Sequence, residues 1–141
     1  MVASQETVAS VRGVLDQFVA SYSAKDETGV LGCFAVGDDG VLVGTGEDEW
    51  RVGDAAVRAQ VERDFAQADS LGIEYSDLHI GGTDGVAWFA AKATVRASVG
   101  GEPFESALRL TGVCTRQGDG WKIVQSHLSF PAATQEPGRS F

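Results

Sequence analysis

Asp48, Glu49 and Trp50 follow directly on the glycine-bracketed run Gly44-Thr45-Gly46-Glu47. A carboxylate pressed against an indole loses water, its pKa rises, and it becomes a competent general base. The same run also reads as a solvated acidic loop beside a packing tryptophan. Asp26 reads as a helix cap. The histidines do not suggest a metal centre. His79 has only Asp77 close by, His127 stands beside Gln125, and no three ligands share a spacing suited to zinc. His127 instead reads as an interface or hydrogen-bonded structural residue. The glycine-rich turns lack the Lys-Ser/Thr and helix of a phosphate loop, and no serine sits in a nucleophile elbow. Cys33 and Cys114 lie 81 positions apart and read as buried, reduced thiols. Neither a metal nor a cofactor is expected.

Eleven Lys and Arg stand against twenty Asp and Glu, a formal charge of −9. Nucleic acid and anionic membrane surfaces both demand basic patches, so neither is expected as a partner. The first twenty residues carry Glu6, Arg12 and Asp16 without a continuous apolar stretch, so no secretory signal is expected. The longest apolar run, Val86 to Ala91, is six residues, against about 20 needed to span a bilayer. A cytoplasmic protein is expected. The length of 141 residues and hydrophobic content of 43% fit one domain with a proper core.

The elements that must position these residues follow from periodicity. Val8, Val11, Leu15, Phe18, Val19 and Tyr22 share one face of a helix, which Ser4 or Thr7 would cap. Asp26 would cap a short second helix through Val30, Leu31 and Phe34. Asp38-Asp39-Gly40 reads as a turn and Val41-Leu42-Val43 as a strand. A third helix follows Gly53-Asp54. Val57, Val61, Phe65 and Ala68 form its apolar stripe, with Arg58, Glu62, Arg63 and Asp69 towards water and Gly72 as its C-cap. Four strands follow, near 73–80, 86–99, 103–116 and 121–130, joined by short glycine-rich turns that imply antiparallel hairpins. The order predicts an α+β domain over residues 1–131, with a loose tail at 132–141.

Alternation along the strands assigns two faces. Phe89, Ala91, Ala93 and Val95, then Phe104, Ser106, Leu108, Leu110, Gly112 and Cys114, then Val124, Ser126, Leu128 and Phe130 should lie under the helices. Ile123 and Ser129 fall on the opposite face. That face also gathers Trp88, Lys92, Arg96, Arg109, Gln125 and His127, a mixture that suits a partly wet subunit interface. A homodimer through this face is expected.

These features together resemble the SnoaL-like branch of the nuclear transport factor 2-like superfamily. The resemblance rests on the first helix ending at Tyr22 before Lys25-Asp26, on Trp50-Arg51-Val52-Gly53 leading into the third helix, and on Ala87-Trp88. It rests most of all on the closing run from Gly120 to Ser129 with Pro131. That run is similar to the last strand of the association domain of calcium/calmodulin-dependent kinase II. The resemblance implies a cone, a curved antiparallel sheet wrapped around the long first helix plus two further helices, with a pocket at the wide end. It also implies a dimer through the outer sheet face.

Phe18, Tyr22, Trp50, Phe65, Phe89, Leu108, Leu110, Ser126 and Leu128 are the expected pocket residues. The inner faces carry no acid or histidine, and Gly112 and Leu128 stand where the resemblance to the kinase domain implies arginines. The expected function is therefore binding of a small apolar molecule. The alternative is an isomerase, cyclase or hydrolase acting on a hydrophobic polycyclic or polyketide-like substrate. It would use Asp48 or Glu49 as base and Tyr22 as hydrogen-bond donor.

Overall fold

Ser4 starts the first helix, α1 (Gln5–Ser23), by accepting a hydrogen bond from the Thr7 N–H at 3.1 Å. Its stripe of Val11, Leu15 and Phe18 is almost wholly buried, each residue contributing about 1.5–3 kcal/mol. Asp26 caps α2 (Glu27–Leu31) through the Gly29 N–H. A third helix, α3 (Asp54–Gln67), begins after Gly53, whose φ of 88° favours glycine. The computed structural model describes residues 2–35 and 37–141. None of its helices is long and apolar enough to cross a membrane.

The helix α3 ends sooner than its sequence suggests. Ala68 is already extended, and Gly72 lies inside a strand rather than capping a helix. The sheet captures the chain first. The Asp69 N–H donates to the Ser98 carbonyl at 2.7 Å, and Lys25 Nζ holds the Ala68 carbonyl at 2.6 Å.

Six strands form one sheet: β1 (Val41–Val43), β2 (Trp50–Val52), β3 (Ser70–Gly82), β4 (Val86–Val99), β5 (Glu102–Gln117) and β6 (Gly120–Ser129). Their spatial order is β2-β1-β6-β5-β4-β3. The last four make the expected antiparallel meander. The short β1 runs parallel to β6, and Trp50-Arg51-Val52 returns beside it as an edge strand rather than a mere lead-in. The curved sheet packs on α1, so that Val11, Leu15 and Phe18 share one core with Ile73, Phe89, Leu108, Leu110 and Ile123.

Two bulges set the faces. In β6, Val124 is the extra residue between the pairs Val113↔Gln125 and Cys114↔Ile123. Beyond it Ser126 and Leu128 point inwards as alternation predicts. Before it the parity inverts, so Ile123, expected outside, is buried together with Trp121, and Val124 is only half-buried. In β3 the register shifts between Ser76 and His79, where Asp77 has φ 47°. Gly112 pairs with Phe89 across β4 and β5, and a Cβ there would lie 2.5 Å from Phe89 Cζ. The ring therefore occupies the space that a side chain at 112 would need.

Candidate functional site

A cavity of about 290 Å3 opens between α1, α3 and the end of the sheet where β4 stops and β5 begins. Phe18, Val30, Phe34, Leu42, Val61, Ile73, Leu108 and Leu128 are among the apolar residues of its wall. Phe104 and Phe130 form its lip, edge to face with ring centres 5.9 Å apart, and both are partly exposed.

One wall is polar, and α3 builds most of it. Gln60, buried to 2% exposure, lies one turn before Asp64 on the same helix face. Its amide nitrogen donates to Asp64 Oδ1 at 2.7 Å and to Glu49 Oε1 at 3.0 Å. Its oxygen accepts from Arg51 Nε at 2.9 Å and Arg63 Nη2 at 3.4 Å. From α1, the Tyr22 hydroxyl donates to Asp64 Oδ2 at 2.8 Å. A buried amide with this many partners is fully satisfied and holds both carboxylates in place.

The hairpin between β1 and β2 delivers Glu49. The Gly46 N–H donates to Glu49 Oε2, and the Gly44 N–H to the Glu49 carbonyl at 2.8 Å. A Cβ on Gly44 would lie 2.8 Å from Glu49 Cβ, which cannot turn aside, so glycine lets the loop close on this side chain. The glycine bracket visible in the sequence thus has a local cause.

Burial pushes the Tyr22 phenol far above its ordinary pKa, and the negative charge and hydrogen bond of Asp64 push it the same way, as does Glu49. Tyr22 therefore remains a protonated donor. Asp48 is held below the usual carboxylate range chiefly by its hydrogen bond from Arg63, 2.6 Å away.

Among the residues expected to form the pocket or to act as base or donor in it, Phe18, Tyr22, Glu49, Leu108 and Leu128 line the cavity. The others do not. Asp48 faces solvent, paired with Arg63. Trp50 is 70% exposed on the edge strand, so it cannot desolvate a neighbouring carboxylate. Phe65 supports Tyr22 from outside the cavity, with ring centres 5.4 Å apart. Phe89 fills the space above Gly112, and Leu110 and Ser126 are wholly buried in the core.

Gln60 and Asp64 are the residues that periodicity missed, and Arg63, expected towards water, lines the cavity. Gln60 and Asp64 interleave with Val57 and Val61 on the buried side of α3, and that polar pair within an apolar stripe was the available signal. Among the described residues no cluster of three His, Cys, Asp or Glu side chains suits a metal ion.

On the outer sheet face Trp88, Lys92, Arg96, Arg109, Gln125 and His127 are all exposed. Arg96 pairs with Glu105 at 2.6 Å, Lys92 with Asp77 at 3.7 Å, and Arg109 Nε donates to Ser129 Oγ at 3.1 Å.

A curved sheet packed over a long helix, with a cavity at one end, makes an α+β cone. Residues 11–133 match the SnoaL-like domain, and the chain belongs to that family. Several solved structures share the fold. A nuclear transport factor 2-like superfamily protein from Salmonella enterica is 16% identical over 98% of this chain and 100% of its own, with a TM-score of 0.85. A Streptomyces avermitilis protein of the nuclear transport factor 2-like family, provisionally named a dehydratase, is 17% identical over 92% of this chain and 100% of its own, with a TM-score of 0.84. A Xanthomonas campestris protein, provisionally named a calcium/calmodulin-dependent protein kinase II association domain, is 20% identical over 87% of this chain and 86% of its own, with a TM-score of 0.77. At these identities the likeness concerns the fold alone. No curated protein matches the chain.

Proposed function

We propose that this chain binds a small, mainly apolar molecule in the cavity, and that it does so as a homodimer joined through the outer sheet face. The observation that carries the binding reading is a chamber of about 290 Å3 with apolar walls and a single ordered polar wall. Such a composition buries an apolar body while a few fixed polar groups orient it. Native mass spectrometry of protein purified from its source tests this reading. An apolar species should accompany the wild-type chain and be lost from a folded Leu108→Trp variant, whose indole fills the chamber. Retention by that variant, or a bare chain in both samples, would overturn it.

A second reading, acid–base catalysis on a hydrophobic polycyclic or polyketide-like substrate, is favoured by Asp64. Its carboxylate lines the cavity 2.8 Å from the Tyr22 hydroxyl, within reach of a bound molecule. Asp64 would accept the proton, and Tyr22 and Gln60 would orient it. Of the two bases anticipated in the sequence, Asp48 faces solvent, and Glu49 lines the cavity but does not touch the Tyr22 hydroxyl, which donates to Asp64. Incubation of the co-purified species in heavy water discriminates the two readings. Deuterium entering a carbon position with wild type but not with Asp64→Asn supports catalysis, whereas no exchange with either leaves binding alone.

A further inference from the structure

We infer that the cavity selects among apolar molecules by one polar group, accepting those that carry a hydrogen-bond donor, a hydroxyl or an amine, over their carboxylate analogues. This rests on the reading of the cavity as a ligand site.

The donors are largely committed within the protein. The one hydroxyl proton of Tyr22 goes to Asp64, and the Gln60 amide nitrogen serves Asp64 and Glu49. Three of the five N–H groups of Arg63 are used, two on Asp48 at 2.6 and 3.3 Å and one on Gln60. Thr45 and Gln67 lie at the exposed margin of the cavity.

Acceptors remain in surplus. A carboxylate offers about four lone-pair directions. Asp64 receives hydrogen bonds from Tyr22 and Gln60, and the Glu49 side chain from Gln60 and the Gly46 N–H. Among the residues that line the cavity, Glu49 and Asp64 also outnumber Arg63, so the wall carries excess negative charge. A hydroxyl or ammonium would meet an unused lone pair there. A carboxylate would meet like charge beside apolar walls, where water screens it poorly.

Calorimetric titration at pH 7 with three matched two-ring probes tests the proposal: 2-naphthol, 2-naphthylmethylamine and 2-naphthoate. The alcohol and the amine should each bind about tenfold or more tighter than the acid, the scale of a hydrogen bond to a charged group. Asp64→Asn, confirmed folded by circular dichroism, should shrink that ratio, and Glu49→Gln provides an independent second variant if Asp64→Asn fails to fold. Equal or tighter binding of naphthoate would overturn the selectivity while leaving the ligand site intact. A ratio unchanged in folded variants would also overturn it. Failure of all three probes to bind would count against the ligand site itself, and against the selectivity with it.

Discussion

At the scale of single residues, the two cysteines and Ser126 show how burial changes chemistry. Burial raises the Cys33 thiol to about 11, against a smaller lowering by Lys122, and the Cys114 thiol to about 12, with Cys33 adding to it. Both start from an ordinary value of 9.0. A folded-state pKa raised in this way leaves stability complete below pH 9. It is then lost as the unfolded chain's thiols ionise and the native ones resist, up to about pH 11 and pH 12. Denaturation midpoints should therefore fall from pH 9 upwards, less steeply in Cys114→Ala. A thiol reagent should react with the native chain far more slowly than with the unfolded one. The Ser126 hydroxyl is buried with no hydrogen-bond partner among the described residues. Ser126→Ala should thus be neutral or stabilising, by up to about 1 kcal/mol, and a clear loss in thermal stability would show that the hydroxyl has a partner.

At the scale of elements, the sheet's inner surface depends on one close approach. A methyl on Gly112 would lie 2.5 Å from Phe89 Cζ and 2.9 Å from the Gln125 carbonyl oxygen, which is backbone and cannot turn aside. Gly112→Ala should cost about 1–3 kcal/mol through overpacking, read as a lower denaturation midpoint. Phe89→Leu in the same chain should recover part of it, and an additive loss would sink the explanation. The sequence already showed Gly112 as a bare position on the inner face, but not what filled it. Helix starts were legible because Ser4 and Asp26 act on amides three residues away. The end of α3 was not, since a distant strand captures Asp69. The parity of β6 was likewise hidden, because a bulge at Val124 inverts the alternation on one side only.

At the scale of the whole molecule, the dimer proposal makes a separate commitment. The outer face exposes Trp88 at 44% and Val86 at 41%, together with Arg109 and His127, a mix of aromatic and cationic anchors. Light scattering should give about twice the chain mass, and Arg109→Glu should shift the population towards monomer. A clean wild-type monomer at micromolar concentration would refute the interface. The chain's own sequence determined the order of helices and strands, the antiparallel meander and most of the division between inner and outer faces. Those properties depend on spacing along the chain, where periods of 3.6 and 2 write themselves into residue type. Only the tertiary structure decided which carboxylates share the cavity. Tyr22 and Asp64 are 42 positions apart, and Gln60 reaches Glu49 on a separate hairpin. No local pattern specifies such a meeting, because it depends on how α1, α3 and the β1–β2 hairpin dock against one sheet.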